Sequence, residues 1–581
     1  MQTQRTILWV IFTMSVLFLW DGWQRHQGHP SMFGGAAPTQ TQQPQAPGAG
    51  TPGAPKADGS VPAPGPTAAV PTGPAAAPGA AAVPGAASPA AGAQPPVRIA
   101  NDVLALDVDP IGGEIQRAEL LKFRDTDKPE AKTNVVLFDE RQGSTYVAQS
   151  GLVGAAGSTL PNHRTPFTIE PGPRELAAGS DQLVLTMSAE QGGVKLVRRY
   201  VLKRGSYSVE MKTEVTNTGA EPIRPTLYMQ LTRDGNSPYL SQGLASTFVT
   251  SGYYGPVVCT DKDKFQKVDF PTIEKGKQEH AKEASDGWVG VIQHYFVAAW
   301  VPKAGTPRSF ETAKIDTNLY TVRVREPMAE IAPNATVTAD TTLYVGPQDQ
   351  RVLAEVAPGL DLVVDYSWLT VIAKPLFQLM QFLHGIVQNW GWAIVLLTLV
   401  VKLAFFPLQA ASYRSMAKMK KVGPKLQQLR ERFGDDRVKM NQAMMELYKT
   451  EKINPLGGCL PIVVQIPVFL ALYWVLFASV EMRDAPWIGW IKDLSAPDPF
   501  YILPLLMAIS MFAQTKLNPV PPDPLQAKMM MWMPLIFSVM FFFFPAGLVL
   551  YWLVNNLFSI AQQWVITRRI EGKPVFGRAP A

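Results

Sequence analysis

Between residues 97 and about 344, apolar and polar residues alternate in short runs closed by turn residues; beyond residue 368 the alternation gives way to long apolar stretches. A period of two predicts antiparallel β-structure. Residues 103–108 and 114–121 flank Ile111-Gly112-Gly113, and residues 183–189, 194–202 and 207–215 are punctuated by Gln191-Gly192-Gly193, residues 203–206 and Asn217-Thr218-Gly219. About 250 residues of this pattern, taken as 97–348, make a large all-β sandwich. The apolar stretches predict membrane helices at about 390–408, 459–479, 498–515, 529–544 and 547–567. Residues 390–408 carry one cation, Lys402, and at about 1.5 Å per residue they extend about 28 Å, close to one bilayer crossing. The last two stretches joined in a single helix would reach about 55 Å, so Pro545-Ala546-Gly547 marks a hairpin between two spans.

Ahead of these stretches, Leu369, Ile372, Leu376, Leu379, Met380, Leu383 and Val387 recur every three or four residues. That spacing predicts, within a linker region 349–389, a helix lying on the membrane surface and kinked at Pro375. At the other end of the chain, residues 7–20 form an uncharged run between Arg5 and Asp21, read as a membrane anchor over residues 1–25 rather than a cleaved signal. Residues 26–96 are dominated by Pro, Ala, Gly, Thr and Gln, the composition of a disordered tether.

Charge adds a direction to these elements. Residues 411–452 hold eleven basic and five acidic side chains, a surplus equal to the whole chain's +6, while the rest balances. Six spans place that loop, Arg5, Lys516, Lys528, Arg568, Arg569 and Lys573 on one side with both termini, and the positive-inside rule makes the side cytoplasmic. The β domain falls outside. Two cysteines 200 positions apart, Cys259 and Cys459, support neither a disulfide framework nor a zinc site. With no HExxH, phosphate loop or GxSxG elbow either, the expectation is a protein without metal, cofactor or enzymatic activity.

Polar residues in the spans are distributed unevenly with depth. Lys402 and Gln465 lie at matching depth, about 8 Å from the cytoplasmic ends of their helices. Ser510 and Gln514 sit near the same surface, and Asn555, Asn556 and Ser559 occupy the middle and inner half of the last span. Thr398 shares a face with Lys402, four residues on. The outer halves are almost wholly apolar. This pattern predicts a positively charged hydrophilic groove open to the cytoplasm and inner leaflet, with an apolar wall from Ile466, Pro467, Ile536, Met540 and Phe544. A recess of this kind shortens the apolar barrier for an incoming polar segment. The competing reading lets Lys402 snorkel to headgroups while the amides pair between helices.

Ser415-Met416-Ala417-Lys418-Met419, Asn454-Pro455-Leu456-Gly457-Gly458-Cys459, Asp493-Leu494-Ser495-Ala496 and Pro545-Ala546-Gly547-Leu548-Val549-Leu550-Tyr551-Trp552 resemble the YidC/Oxa family of bacterial inner-membrane insertases, of the Gram-negative type. The resemblance implies a membrane α-helical bundle of six transmembrane helices, five of them the family core, plus a periplasmic all-β supersandwich. It implies an insertase and chaperone that inserts and folds inner-membrane proteins, alone or with the Sec translocon, without nucleotide hydrolysis. Lys402 falls at the family's groove arginine, keeping the charge and losing bidentate pairing. Thr398, Tyr551 and Trp552 fall at groove positions, with Trp552 where a second tyrosine is common. Residues 411–452 resemble the family's cytoplasmic helical hairpin, with Asp435 or Asp436 capping its second helix. Lys418, Lys420, Lys421, Lys425, Arg430, Arg432, Arg437 and Lys439 would meet the ribosome, signal-recognition components or lipid headgroups, aided by the basic C-terminus. Nascent membrane proteins would be the clients. Two other classes remain open: a small-anion secondary transporter centred on Lys402, and a membrane-anchored periplasmic carbohydrate-binding protein.

Overall fold

The strand Gln182–Gln191 shows how the β half is built: its residues alternate between half-buried and buried along most of its length, and it pairs antiparallel with Val194–Lys203 across Gly192 and Gly193. Both glycines have positive φ, 60° and 73°, which the two-residue hairpin demands. Gly112 and Gly113 do the same at an earlier turn, and a Cβ on Gly112 would stand 2.2 Å from the His163 carbonyl oxygen. The computed structural model describes residues 95–125, 133–141, 144–155, 158–236, 253–433, 436–451, 460–518, 528, 531–534 and 538–570. The anchor and nearly all of the tether expected at the N-terminus lie outside the described residues.

Among the described residues the strands form two nine-stranded antiparallel sheets. One runs from Val97–Ala100 at its edge to Glu283–Ala284; the other runs from Lys264–Lys267 to Thr168–Ile169. Leu106, Leu120, Leu185, Leu196, Met211, Met229, Val291 and Trp300 belong to the apolar cluster of this sandwich. A second cluster starts from Val257, Trp288 and Tyr344 of the second sheet. It continues through the short helix α1 (Gln350–Val356), whose Asp349 cap accepts from Arg351 N and Val352 N, into the helical half. The halves therefore share buried apolar surface, which is the largest favourable term in holding two elements together.

The helical half contains α2 (Thr370–Val387), α3 (Trp390–Ala404), α4 (Phe406–Lys421), α5 (Gly423–Phe433), α6 (Arg437–Thr450), α7 (Leu460–Ala478), α8 (Ile502–Leu517) and α9 (Ala546–Ile570). Helix α2 buries Ala373, Phe377, Met380 and Leu383, yet its other side exposes Val371, Phe382 and Ile386, so it is apolar on both flanks. Asn389 caps α3 by accepting from Trp392 N at 3.0 Å. The helix expected over 390–408 instead ends at Ala404 and restarts as α4, with a 67° bend between the two. Pro407 is the reason: it lacks the N–H that a continuing helix needs, and at the first turn of a new helix that loss costs nothing. Among the described residues no single helix is long and apolar enough to cross a membrane, whereas α3 and α4 pass that test as a bent pair. The loop after α7 plugs into the sandwich. Val480 joins the sandwich core, Phe477 meets the His294 ring edge-on at 4.9 Å, and Arg483 Nη2 donates to the Arg124 carbonyl at 2.6 Å.

Candidate functional site

Helix α9 packs against α3, α4 and α8, and α7 closes on α4 and α9. Lys402, in the last turn of α3, points into this junction and is 6% exposed. Its Nζ donates to Ser559 Oγ at 2.7 Å and to Gln409 Oε1 at 3.3 Å. Gln409 Nε2 then donates to Gln465 Oε1 at 3.0 Å, and Gln465 Nε2 to Asn555 Oδ1 at 3.0 Å. Side chains from α3, α4, α7 and α9 thus form one connected polar cluster. In a straight helix, residues seven apart rise about 10.5 Å along the axis. The bend before α4 is what turns Gln409 back toward the ammonium.

One position on from Asn555 along α9, Asn556 Nδ2 donates to Ser510 Oγ at 2.8 Å, and further along Gln563 Nε2 donates to Asn518 Oδ1 at 3.1 Å. The polar residues expected to share one groove therefore form two hydrogen-bonded groups, one joining α9 to α3, α4 and α7 and the other joining it to α8. Gln514 is half-buried one turn beyond Ser510. Thr398 is buried and bonds back to the Ile394 carbonyl at 2.7 Å, so it stays within its own helix. Beside the lysine cluster lies an aromatic layer. Phe469 stacks on Tyr551 at 6.3 Å and meets Trp552 edge-on at 4.4 Å, and Phe541 packs on Trp552 at 5.3 Å. The Tyr551 hydroxyl is buried against Gln465 without a hydrogen bond of normal geometry.

Of the expected apolar wall, Ile466 is exposed and Pro467 and Met540 are half-buried. Phe544 differs: it is buried against Phe541 and Tyr473, because the chain turns inward there to begin α9. Ile536 lies outside the described residues. In the hairpin, Asp436 caps α6 by accepting from Val438 N and Lys439 N, while Asp435 lies outside the described residues. Lys418 and Lys420 are exposed, Lys421 donates to the Ile570 carbonyl at 2.5 Å, Lys425 pairs with Glu451 at 2.6 Å, and Lys439 pairs with Asp436 at 3.1 Å. The exposed Arg432 lies over the Phe433 ring; the side chains of Arg430 and Arg437 lie outside the described residues. No group of three or more His, Cys, Asp or Glu that could hold a metal occurs among the described residues. Gln409 and Tyr413, whose side chain also bonds Ser559, escaped the sequence reading. The seven-residue spacing from Lys402 to Gln409 was the available signal, hidden by an assumed helix end at 408.

The family model described as "60Kd inner membrane protein" matches residues 382–573, and that described as "YidC periplasmic domain" matches residues 96–379. A membrane protein insertase YidC from Cupriavidus necator is 55% identical over 576 residues, covering 98% of both chains. The chain belongs to the YidC insertase family. A relative of the same description from Bordetella pertussis is 54% identical over 574 residues, again covering 98% of each chain. A solved structure titled as an active YidC insertase with its first transmembrane domain resolved aligns at 16% identity and a TM-score of 0.36, over 81% of this chain and 94% of that one. As a family member the chain is an inner-membrane protein whose sandwich is a periplasmic domain.

Proposed function

We propose that this chain inserts and folds inner-membrane proteins by receiving their polar segments at the Lys402 cluster. The observation that carries the reading is a lysine, almost fully buried where four helices meet, whose partners are all neutral. Among the described residues no carboxylate pairs with it. A buried charge without a counter-charge is costly, at least about 2.5 kcal/mol on insertion scales, so a function that uses it offsets what stability loses. An acidic residue in an incoming segment supplies the missing counter-charge, and the membrane potential drives negative charge outward by about 2.3 kcal/mol per 100 mV. The half-exposed side chains of Ile466, Pro467 and Met540 offer an apolar exit for the hydrophobic part, in the manner of an interface that prefers lipid to water.

In this reading the spans are the anchor at residues 1–25 and the five stretches beginning at residue 390, with N- and C-termini cytoplasmic. The hairpin α5–α6 and the basic C-terminus meet the ribosome, signal-recognition components and anionic headgroups, and some clients arrive through the Sec translocon. The test is site-directed crosslinking from positions 402 and 540 to a stalled nascent membrane protein in native membranes. Crosslinks from position 402 to the client's polar flank and from position 540 to its apolar segment are expected. Clients that crosslink only at the surface of α2 or the sandwich would overturn the proposal.

A further inference from the structure

Lysine has donors and no acceptor, so Lys402 dictates how its neighbours face. Gln409 must present its oxygen, which leaves its NH2 to donate onward; Gln465 must then present its oxygen to Gln409, and Asn555 its oxygen to Gln465. Every amide in the chain points its negative end toward the ammonium, and aligned hydrogen bonds of this kind reinforce one another. Ser559 Oγ, which accepts from Nζ, donates to the Asn555 carbonyl at 2.8 Å, closing the ring on α9. All these partners are uncharged. A hydrogen bond to a charged acceptor is roughly twice as strong as one to a neutral acceptor. A carboxylate entering the cluster therefore displaces the weaker of the two contacts to Nζ, the 3.3 Å one from Gln409, before the 2.7 Å one from Ser559.

We propose that Gln409 is a positioning residue, a stand-in ligand that holds the Lys402 ammonium in the cluster while no client is bound and yields its place to a client carboxylate. This rests on the insertase reading above. In a straight continuation of α3, Gln409 would stand two turns past Lys402 along the same face; the break at Phe405 folds α4 back so that its side chain occupies the position a client acid needs. Gln409→Glu would put a permanent carboxylate there, an internal competitor for every acidic client.

The experiment uses the full chain in membranes depleted of the native insertase, with two single-span clients that differ only in an acidic or a neutral translocated tail. Gln409→Glu is expected to lower the acidic-to-neutral insertion ratio about tenfold, the scale of exchanging a neutral for a charged partner. Gln409→Leu, which removes the amide without adding charge, is expected to keep the ratio within about threefold of wild type, the scale of one neutral hydrogen bond. An unchanged ratio in Gln409→Glu overturns the inference, as does an equal loss for both tails, which would mark a merely structural role. A fall in Gln409→Leu as large as in Gln409→Glu overturns it too, since loss of the amide would then be the cause. Lys402→Gln separates the two levels. If it leaves the ratio unchanged, the charged-site reading itself fails; if it lowers the ratio while Gln409→Glu does not, only the role given to Gln409 fails.

Discussion

Among the described residues a chain of side-chain amides runs through each half of this protein. In the sandwich, Gln230 Nε2 donates to Gln149 Oε1 at 2.6 Å, and Gln149 Nε2 donates to Glu114 Oε2 at 2.6 Å. In the helical half the chain runs from Lys402 through Gln409 and Gln465 to Asn555. The rungs of the first are fixed, since Gln149 and Gln230 face each other in the register of two paired strands. Those of the second stand on four helices with no ladder between them. The end groups differ as well. Burial pushes the Glu114 carboxyl up to about 8, with nearby Glu140 and Asp109 adding to the effect, so the sandwich keeps its buried acid neutral near pH 7. The helical chain ends on a cation without a carboxylate partner among the described residues. A polar chain that ends on a neutral acid between fixed strands fits a structural role; one that ends on a charge fits the partner exchange proposed for Lys402.

That contrast can be broken most directly at its two middle rungs. Gln149→Leu leaves Glu114 and Gln230 buried without partners and is expected to cost about 2–3 kcal/mol, seen as a lower thermal midpoint of the purified chain. The matching change in the helical half, Gln465→Leu, is expected to cost well under half of that, because its rung neighbours have other partners or can turn away. Equal losses would erase the distinction. Next in size, Lys402→Glu should lower insertion of acidic-tailed single-span clients by about tenfold, or about 1.4 kcal/mol, with the melting profile little changed. Wild-type insertion rates in that variant would remove the charged-site mechanism.

A third measurement sharpens the sandwich side. Because Glu114 titrates near 8 in the folded chain and near 4.5 when unfolded, the unfolded state releases its proton first as pH rises. Stability should therefore fall between about pH 4.5 and pH 8 and level off above, and Glu114→Gln should flatten that slope. An unchanged slope would mean that other groups set it. The smallest effect is expected at Trp552→Tyr, which keeps an aromatic ring on Phe469 and Phe541 and should alter insertion by less than about twofold. A larger loss would show that the indole itself is needed.

The strand pattern was legible because a two-residue period needs only neighbours in sequence to show itself; Gln182–Gln191 and Val194–Lys203 could be placed with their glycine turn before any contact was known. The Lys402 cluster was legible in part. Lys402, Gln465 and Asn555 stood out as polar residues in apolar surroundings. Gln409 did not, since it follows Pro407 just outside the assumed span, and only the 67° bend carries it back. Asn555 and Asn556 looked equivalent in sequence, yet adjacent helical positions point about 100° apart, and they joined different clusters.

Sequence alone determined that the first half alternates like a sheet and the second carries long apolar stretches, where the positive charge gathers, and which family motifs the chain carries, because periodicity, composition and charge are properties of local order along the chain. Tertiary structure alone decided which polar side chains meet, that they form two hydrogen-bonded groups, and that Val480 and Arg483 lock the α7 loop into the sandwich. Those outcomes depend on helix bends and packing angles, which many distant residues set together and no single stretch encodes.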